Sequence, residues 1–305
     1  MVILLLEQLL NGLQFGVMLF LMAAGLTLVF GIMGLINLAH GSLYMVGAYA
    51  AAWVGQASGS FLLGLGAGLL AAAAAGVVLE LAILRRLYAR EHLDQVLATF
   101  GVILFANEAV AMLFGRQPLM AGLPPWLAGS VEIIPGVPYP VYRLAIIAVG
   151  LAVALGLYLL IAHSRIGMLV RAGATHRELV GALGVRIGLL FTGVFGLGAL
   201  LAGLAGALTG PLLAVQVGMG ERILITTFVV IVIGGLGSVR GALAGAMLVG
   251  MVDTLARAFL PGALRAVLDA SSADALGAGL SSMAVFILMA AVLLWRPRGL
   301  FPAHG

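Results

Sequence analysis

Along the chain, apolar residues come in long runs separated by short stretches that carry charge, proline or glycine. A helix crossing a hydrocarbon core about 30 Å thick needs roughly 17 to 25 mostly apolar residues. Nine runs approach or reach that length. They extend from Leu9 to Phe30, Leu38 to Val54, Phe61 to Leu84, Val96 to Phe114, Leu144 to Ile161, Leu189 to Leu208, Ile223 to Leu236, Ala242 to Phe259 and Leu280 to Trp295. They are apolar on all sides and rich in Gly and Ala, whereas a membrane β-barrel needs strands of about ten residues that alternate polar and apolar. The pattern predicts an all-α, polytopic transmembrane helix bundle of about eight or nine spans, built as a single transmembrane domain over residues 1–305.

Between the runs, the polar pattern predicts smaller elements. Pro118, Pro124, Pro125, Pro135, Pro138 and Pro140 crowd a loop over residues 115–143, where Val131 to Ile134 and Val137 to Tyr142 flank Pro135-Gly136 and read as a small hairpin. In the loop over residues 163–188, Thr175-His176-Arg177-Glu178 fits a capping box, in which the Thr oxygen accepts from the third helical N–H and the Glu reaches back to the cap. A helix of about two turns is expected there, with Leu179, Val180 and Leu183 on one face and Gly184 as its stop. Such a short helix is marginal alone and must pack on something, either the rest of this chain or a partner.

Two glycine-punctuated stretches, Gly31 to Gly41 and Gly234 to Gly241, read as breaks between helices. Aligned on each other they match Gly34 with Gly234 and Gly41 with Gly241, as repeats with discontinuous helices along a pathway would. Gly12 and Gly16, Gly64 and Gly68, Gly206 and Gly210, and Gly241 and Gly245 are small-residue pairs that allow helices to approach closely in lipid.

Composition sharpens this picture. Of the residues, 63% are hydrophobic and 9% charged, against roughly 25% charged in soluble domains, so the bilayer is the main solvent. There is no Cys, which removes disulfides and thiolate chemistry. All 15 basic residues are Arg, and without Lys the chain has no ordinary phosphate-binding P-loop; any ATP hydrolysis belongs to another polypeptide. The net charge of +4 forms no basic run and does not indicate nucleic acid. No basic residue precedes the first apolar run, so it lacks the n-region of a cleavable signal and is taken as the first membrane element. Arg85, Arg86 and Arg90, then Arg165, Arg171, Arg177 and Arg186, then Arg296 and Arg298 mark the expected cytoplasmic side, which places the C-terminus inside and the 115–143 loop outside. Nothing basic decides the side of the N-terminus. Trp53, Trp126 and Trp295 sit near expected interfaces as anchors.

Few ionisable groups fall within the runs. Glu80 lies close to Arg85 and Arg86 and reads as interfacial, whereas Glu108, beside Asn107, and Asp253 are deep enough to need polar surroundings, at about 2.5 to 3.5 kcal/mol each on insertion scales. They are candidates for interhelix contacts or for the pathway. His40 has no second His or nearby acid, so a metal site is not expected, and a hydrogen bond near the break is. No nucleophile and base pair, His cluster or paired carboxylates occur at workable spacing, which argues against an enzyme.

The stretch from Gly25 to Tyr49, with Gly34-Leu-Ile-Asn-Leu-Ala-His-Gly41 at its centre, resembles the hallmark of branched-chain amino-acid ABC transporter permease subunits of the LivH type. Thr99-Phe-Gly-Val leading to Asn107, Ser164-Arg-Ile-Gly-Met, Ala182-Leu-Gly-Val, Val232-Ile-Gly-Gly-Leu-Gly-Ser and Arg296-Pro-Arg-Gly-Leu extend the resemblance in order along nearly the whole chain. The resemblance implies a subunit of a bacterial inner-membrane importer that works with two cytoplasmic ATPases, a second homologous permease or a second copy, and a periplasmic solute-binding protein. ATP and Mg would be held by the partners, and no cofactor or metal by this chain. It implies that Thr175, His176, Arg177, Glu178, Leu179, Val180, Leu183 and Gly184 form a cytoplasmic ATPase-coupling helix. Candidate pathway or break residues are Asn37, His40, Gly41, Asn107, Glu108, Gly235, Gly237 and Asp253. Glu108 departs from the neutral amide such chains often carry there. The cargo would be branched-chain amino acids or, within the same family, urea, amides or aromatic carboxylates. A channel or ion-coupled transporter without ATPases is the competing reading, suggested by Glu108, Asp253 and the paired breaks.

Overall fold

The computed structural model describes residues 2–301 other than 89, 135 and 176, and of residues 134, 174, 175, 177 and 178 only the backbone. Each of the nine apolar runs is helical: α1 Val2–Met33, α2 His40–Ser58, α3 Phe61–Ala82, α4 His92–Phe114, α5 Val141–His163, α8 Ile187–Thr209, α9 Met219–Gly234, α10 Val239–Leu264 and α11 Ala270–Trp295. Two short helices, α6 Arg165–Thr175 and α7 Arg177–Ala182, lie between α5 and α8, and a 3₁₀ turn, Leu84–Arg86, follows α3. Among the described residues, seven of these helices are both long and apolar enough to cross a membrane, while α2 and α9 fall short of that standard. The chain is therefore an all-α polytopic membrane protein, with a small antiparallel pair, β1 Ser130–Ile134 and β2 Val137–Pro140, as the one sheet among the described residues.

Several helices outrun the apolar runs because capping, not hydropathy, sets their ends. α11 begins ten residues before Leu280, where the Asp269 carboxylate accepts from the Ser272 N–H at 3.0 Å. α10 begins where the Ser238 hydroxyl oxygen accepts from the Gly241 N–H at 3.1 Å, and it continues through Pro261 to Leu264.

The described chain divides into two compact units. One comprises Met1–Phe20, Pro125–Leu151 and Thr226–Gly305; the other comprises Leu21–Pro124 and Ala152–Ile225. In the first, the start of α1 packs on α10, where a Cβ on Gly16 would stand 2.9 Å from the Ala246 carbonyl. α11 packs on α10 where the Ser281 hydroxyl donates to the Ala256 carbonyl at 2.9 Å. The hairpin is tied to α1 by the Tyr139 hydroxyl and the Arg143 guanidinium, which both donate to the Asn11 side-chain oxygen.

In the second unit, α2, α3 and α8 pack on one another along a seam of small residues. The buried residues of α3 are Gly64, Gly68, Ala72, Gly76 and Glu80, one every four positions, so a single stripe faces its neighbours. A Cβ on Gly68 would stand 2.6 Å from the Gly47 carbonyl, and one on Gly206 would overlap the Tyr44 carbonyl. Without a hydrophobic drive between helices in lipid, this backbone-to-backbone approach supplies the packing that holds them together.

Candidate functional site

The glycine-rich stretches are breaks in the helices, as their sequence predicts. Residues 34–39 separate α1 from α2, and 235–238 separate α9 from α10. Each turns on glycine with positive φ: Gly34 at +64°, then Gly235 at +105° and Gly237 at +80°. In the first break, the fully buried Asn37 accepts from the Ala39 N–H at 3.1 Å and so closes the turn into α2. His40 is fully buried against Gly25 of α1, and the Met22 backbone is the hydrogen-bonding group nearest its ring. Gly41 is pressed against Gly220, whose carbonyl would lie 2.5 Å from an added Cβ. The buried Gln95 accepts from the Ile36 N–H and donates to the carbonyls of Leu87 and Arg90, linking this break to the arginine-bearing loop. The second break is covered by the C-terminal segment. The N–H groups of Leu300 and Phe301 donate at 2.9 Å to the carbonyls of Ile233 and Gly234, which α9 leaves without intrahelical partners.

The acids named from sequence behave differently from one another. Glu108 is exposed and receives both of its bonds from Arg116, at 2.9 and 3.0 Å. Asp253 pairs with Arg257 one turn later on α10. Both contacts are local rather than between helices. Asp253 and Arg257 line a cleft of about 380 Å³ with Gln8, Phe15, Thr254 and Ala258. Asn107, in contrast, reaches α9: its amide donates to the Glu221 carboxylate at 2.5 Å across 114 positions of sequence. Glu221 was not legible as a site residue because it stands beside Arg222 at the foot of an apolar run and reads as a border charge.

Glu80, beside Arg85 as the sequence has it, is fully buried within the protein and takes donors on both oxygens. The Arg85 guanidinium donates to each oxygen at 3.2 Å, the Tyr88 hydroxyl to one at 2.8 Å and the Thr192 hydroxyl to the other at 2.8 Å. Arg85 is also 2.8 Å from the Thr192 hydroxyl, and the Tyr88 ring meets Phe191 edge-on at 5.6 Å. This cluster bolts the end of α3 and the loop after it to α8, near the start of α8 where the 163–188 segment ends. The five-residue spacing between Glu80 and Arg85 is the trace of this pair in the sequence, and spacing alone does not say that the acid is buried.

In that segment, α6 runs to Thr175 and α7 spans Arg177–Ala182. The capping box predicted there lies outside the described residues: His176 wholly, and Thr175, Arg177 and Glu178 by their side chains. The end of the helix is described. The Leu183 and Gly184 N–H groups close the last turn on Leu179 and Gly181, and Gly184 takes a φ of +85°. The apolar face is divided: Val180 is 6% exposed and packs inward, while Leu179 and Leu183, at 62% and 82%, are turned outward one above the other.

A family model described as "Branched-chain amino acid transport system / permease component" matches residues 8–293. The chain is 31% identical over 309 residues to the high-affinity branched-chain amino acid transport system permease protein BraD of Pseudomonas aeruginosa, covering 97% of this chain and 95% of that one. It is 30% identical over 276 residues to the permease protein LivH of Salmonella typhimurium, with 84% and 87% covered, and 29% identical over the same length to LivH of Escherichia coli. No solved structure matches the chain. An array of membrane-length helices interrupted by two glycine breaks thus carries the sequence of a known permease type along almost its full length, and the chain belongs to the branched-chain amino acid transport system permease family as the membrane-spanning subunit of an ABC importer.

Proposed function

We propose that this permease moves branched-chain amino acids, or closely related small polar solutes, into the cell across the bacterial inner membrane by ATP-driven alternating access. It works with two cytoplasmic ABC ATPases that hold ATP and Mg²⁺, a second permease subunit or a second copy of itself, and a periplasmic binding protein. The C-terminus lies on the cytoplasmic side. The cargo rests on the near full-length similarity to relatives named for branched-chain amino acid transport. The coupling element is the segment Thr175 to Gly184, and the observation that supports it is the outward-turned pair Leu179 and Leu183, an apolar knob suited to a groove on a partner. ATP binding draws the two ATPases together, moves this knob and so shifts the helices attached to it.

The channel reading is disfavoured because Glu108 and Asp253 are each bound to an arginine close by in sequence, leaving no chain of free acids for an ion or proton. Urea, amides and aromatic carboxylates remain as cargo alternatives, and the ligand profile of the binding protein encoded with this permease distinguishes them. The central test is co-purification: Leu179→Asp with Leu183→Asp abolishes association with the ATPases and ATP-dependent uptake, while the permease stays folded. Retention of both activities in that variant, or purification of active wild type without ATPases, overturns the reading.

A further inference from the structure

Asn107 and Glu221 are joined by one hydrogen bond, from the Asn107 amide to one Glu221 oxygen. That bond leaves the Asn107 Oδ1 and the Glu221 Oε2, both of them acceptors, both withdrawn from the surface and neither with a donor. A buried acceptor left unmade costs about 1 to 3 kcal/mol, and more when it is charged. The neighbouring cation does not relieve the acid: the Arg222 guanidinium lies against Gln216, whose amide oxygen accepts from it once the amide is turned. The backbones of Gly41 and Gly220 touch where α9 begins, which fixes the helix end that carries Glu221. Glu221 is half-buried in the first turn of α9, where a carboxylate is favoured, yet a neutral amide at position 221 would make the same bond to Asn107 without leaving a carboxylate oxygen unmet.

We propose that Asn107 and Glu221 form the subsite that takes the ammonium end of the cargo. A primary ammonium brings several N–H donors and one positive charge, so it can bond the free oxygen of each residue and neutralise the carboxylate at once. Two free oxygens supply only a small share of the six or more oxygen ligands a hard metal cation takes. Both side chains are half-buried, and the two free oxygens are the parts that are fully withdrawn. The inference rests on the proposed amino-acid importer and adds the group that recognises the cargo's nitrogen.

The test uses the whole complex of permease, ATPases and binding protein in proteoliposomes, with radiolabelled L-leucine as probe. Glu221→Gln keeps the volume and the bond to Asn107 but removes the charge. It is expected to lower leucine uptake per ATP hydrolysed at least tenfold, while stimulation of ATPase activity by the loaded binding protein stays as in wild type. Glu221→Asp keeps the charge and is expected to retain more uptake than Glu221→Gln, which holds the comparison even if either variant is less stable. Uptake by Glu221→Gln equal to wild type overturns the subsite and leaves the importer intact. A parallel fall in ATPase stimulation and uptake for both variants overturns it in favour of a purely structural bond. Sodium-dependent uptake in wild type that Glu221→Gln abolishes overturns it in favour of a metal cation. Wild-type complex that takes up no leucine overturns the amino-acid reading itself.

Discussion

Glu80 and Glu221 are both acids drawn into the same compact unit of an apolar chain, and they are treated in opposite ways. Glu80 is met by a guanidinium and two hydroxyls, so its charge and lone pairs are accounted for. Glu221 receives a single amide bond and keeps one oxygen without a donor. A fully partnered buried charge behaves as a rivet, costly to break and with little to offer a ligand. A half-partnered one stores an unmet demand, and such demand belongs where something passes by. The difference separates a residue that holds the bundle together from one suited to handle cargo.

The largest effect is expected at the rivet. Glu80→Ala removes the shared acceptor of Arg85, Tyr88 and Thr192, which costs about 1 to 3 kcal/mol for each hydroxyl bond lost, while Arg85, 44% exposed, can turn to solvent. Thermal unfolding in detergent reads this as a strongly lowered midpoint; an unchanged midpoint removes the distinction between the two acids. Next comes Asn107→Ala, which takes the last donor from Glu221 and destabilises by about 1 to 3 kcal/mol on the same scale. If Asn107→Ala proves as damaging as Glu80→Ala, the two sites are alike after all.

Smaller still is Glu108→Gln at the exposed pair with Arg116, where screening by solvent limits the loss to about 0 to 1 kcal/mol. Uptake and unfolding midpoint both stay close to wild type, and a marked loss of transport would restore Glu108 to the pathway. The smallest effect is at Asp269, which caps α11 in solvent. Its bonds from Ser271 and Ser272 hold the carboxyl below its ordinary 3.8, at about 2. The folded value is depressed, so the contribution to stability is present above about 3.8 and is lost as pH falls toward 2. Comparing the unfolding midpoint of wild type and Asp269→Asn from pH 5 to about 2 should show a gap that closes as pH falls; a gap that widens contradicts the sign.

The membrane helices were legible because length and hydropathy alone oppose water strongly enough to be read locally. The breaks at Gly34 and at Gly235 to Gly237 were legible for a similar reason: positive φ is written in the residue type. Helix ends were less so, since Asp269 and Ser238 extend α11 and α10 through side-chain caps that hydropathy does not register. Among site residues, Asn107 stood out as an amide in an apolar run, but its partner did not.

The sequence by itself determined the solvent, the helical class, the absence of a P-loop and, through ordered motifs from Gly25 to Leu300, the permease family. Tertiary structure alone decided which charges are buried and who satisfies them. It buried Glu80 among the donors of Arg85, Tyr88 and Thr192, turned Glu108 and Asp253 toward nearby arginines, and joined Asn107 to Glu221. The physical reason is that apolarity is a property of a residue, readable one position at a time, whereas the state of a charge depends on which donors the fold brings to it.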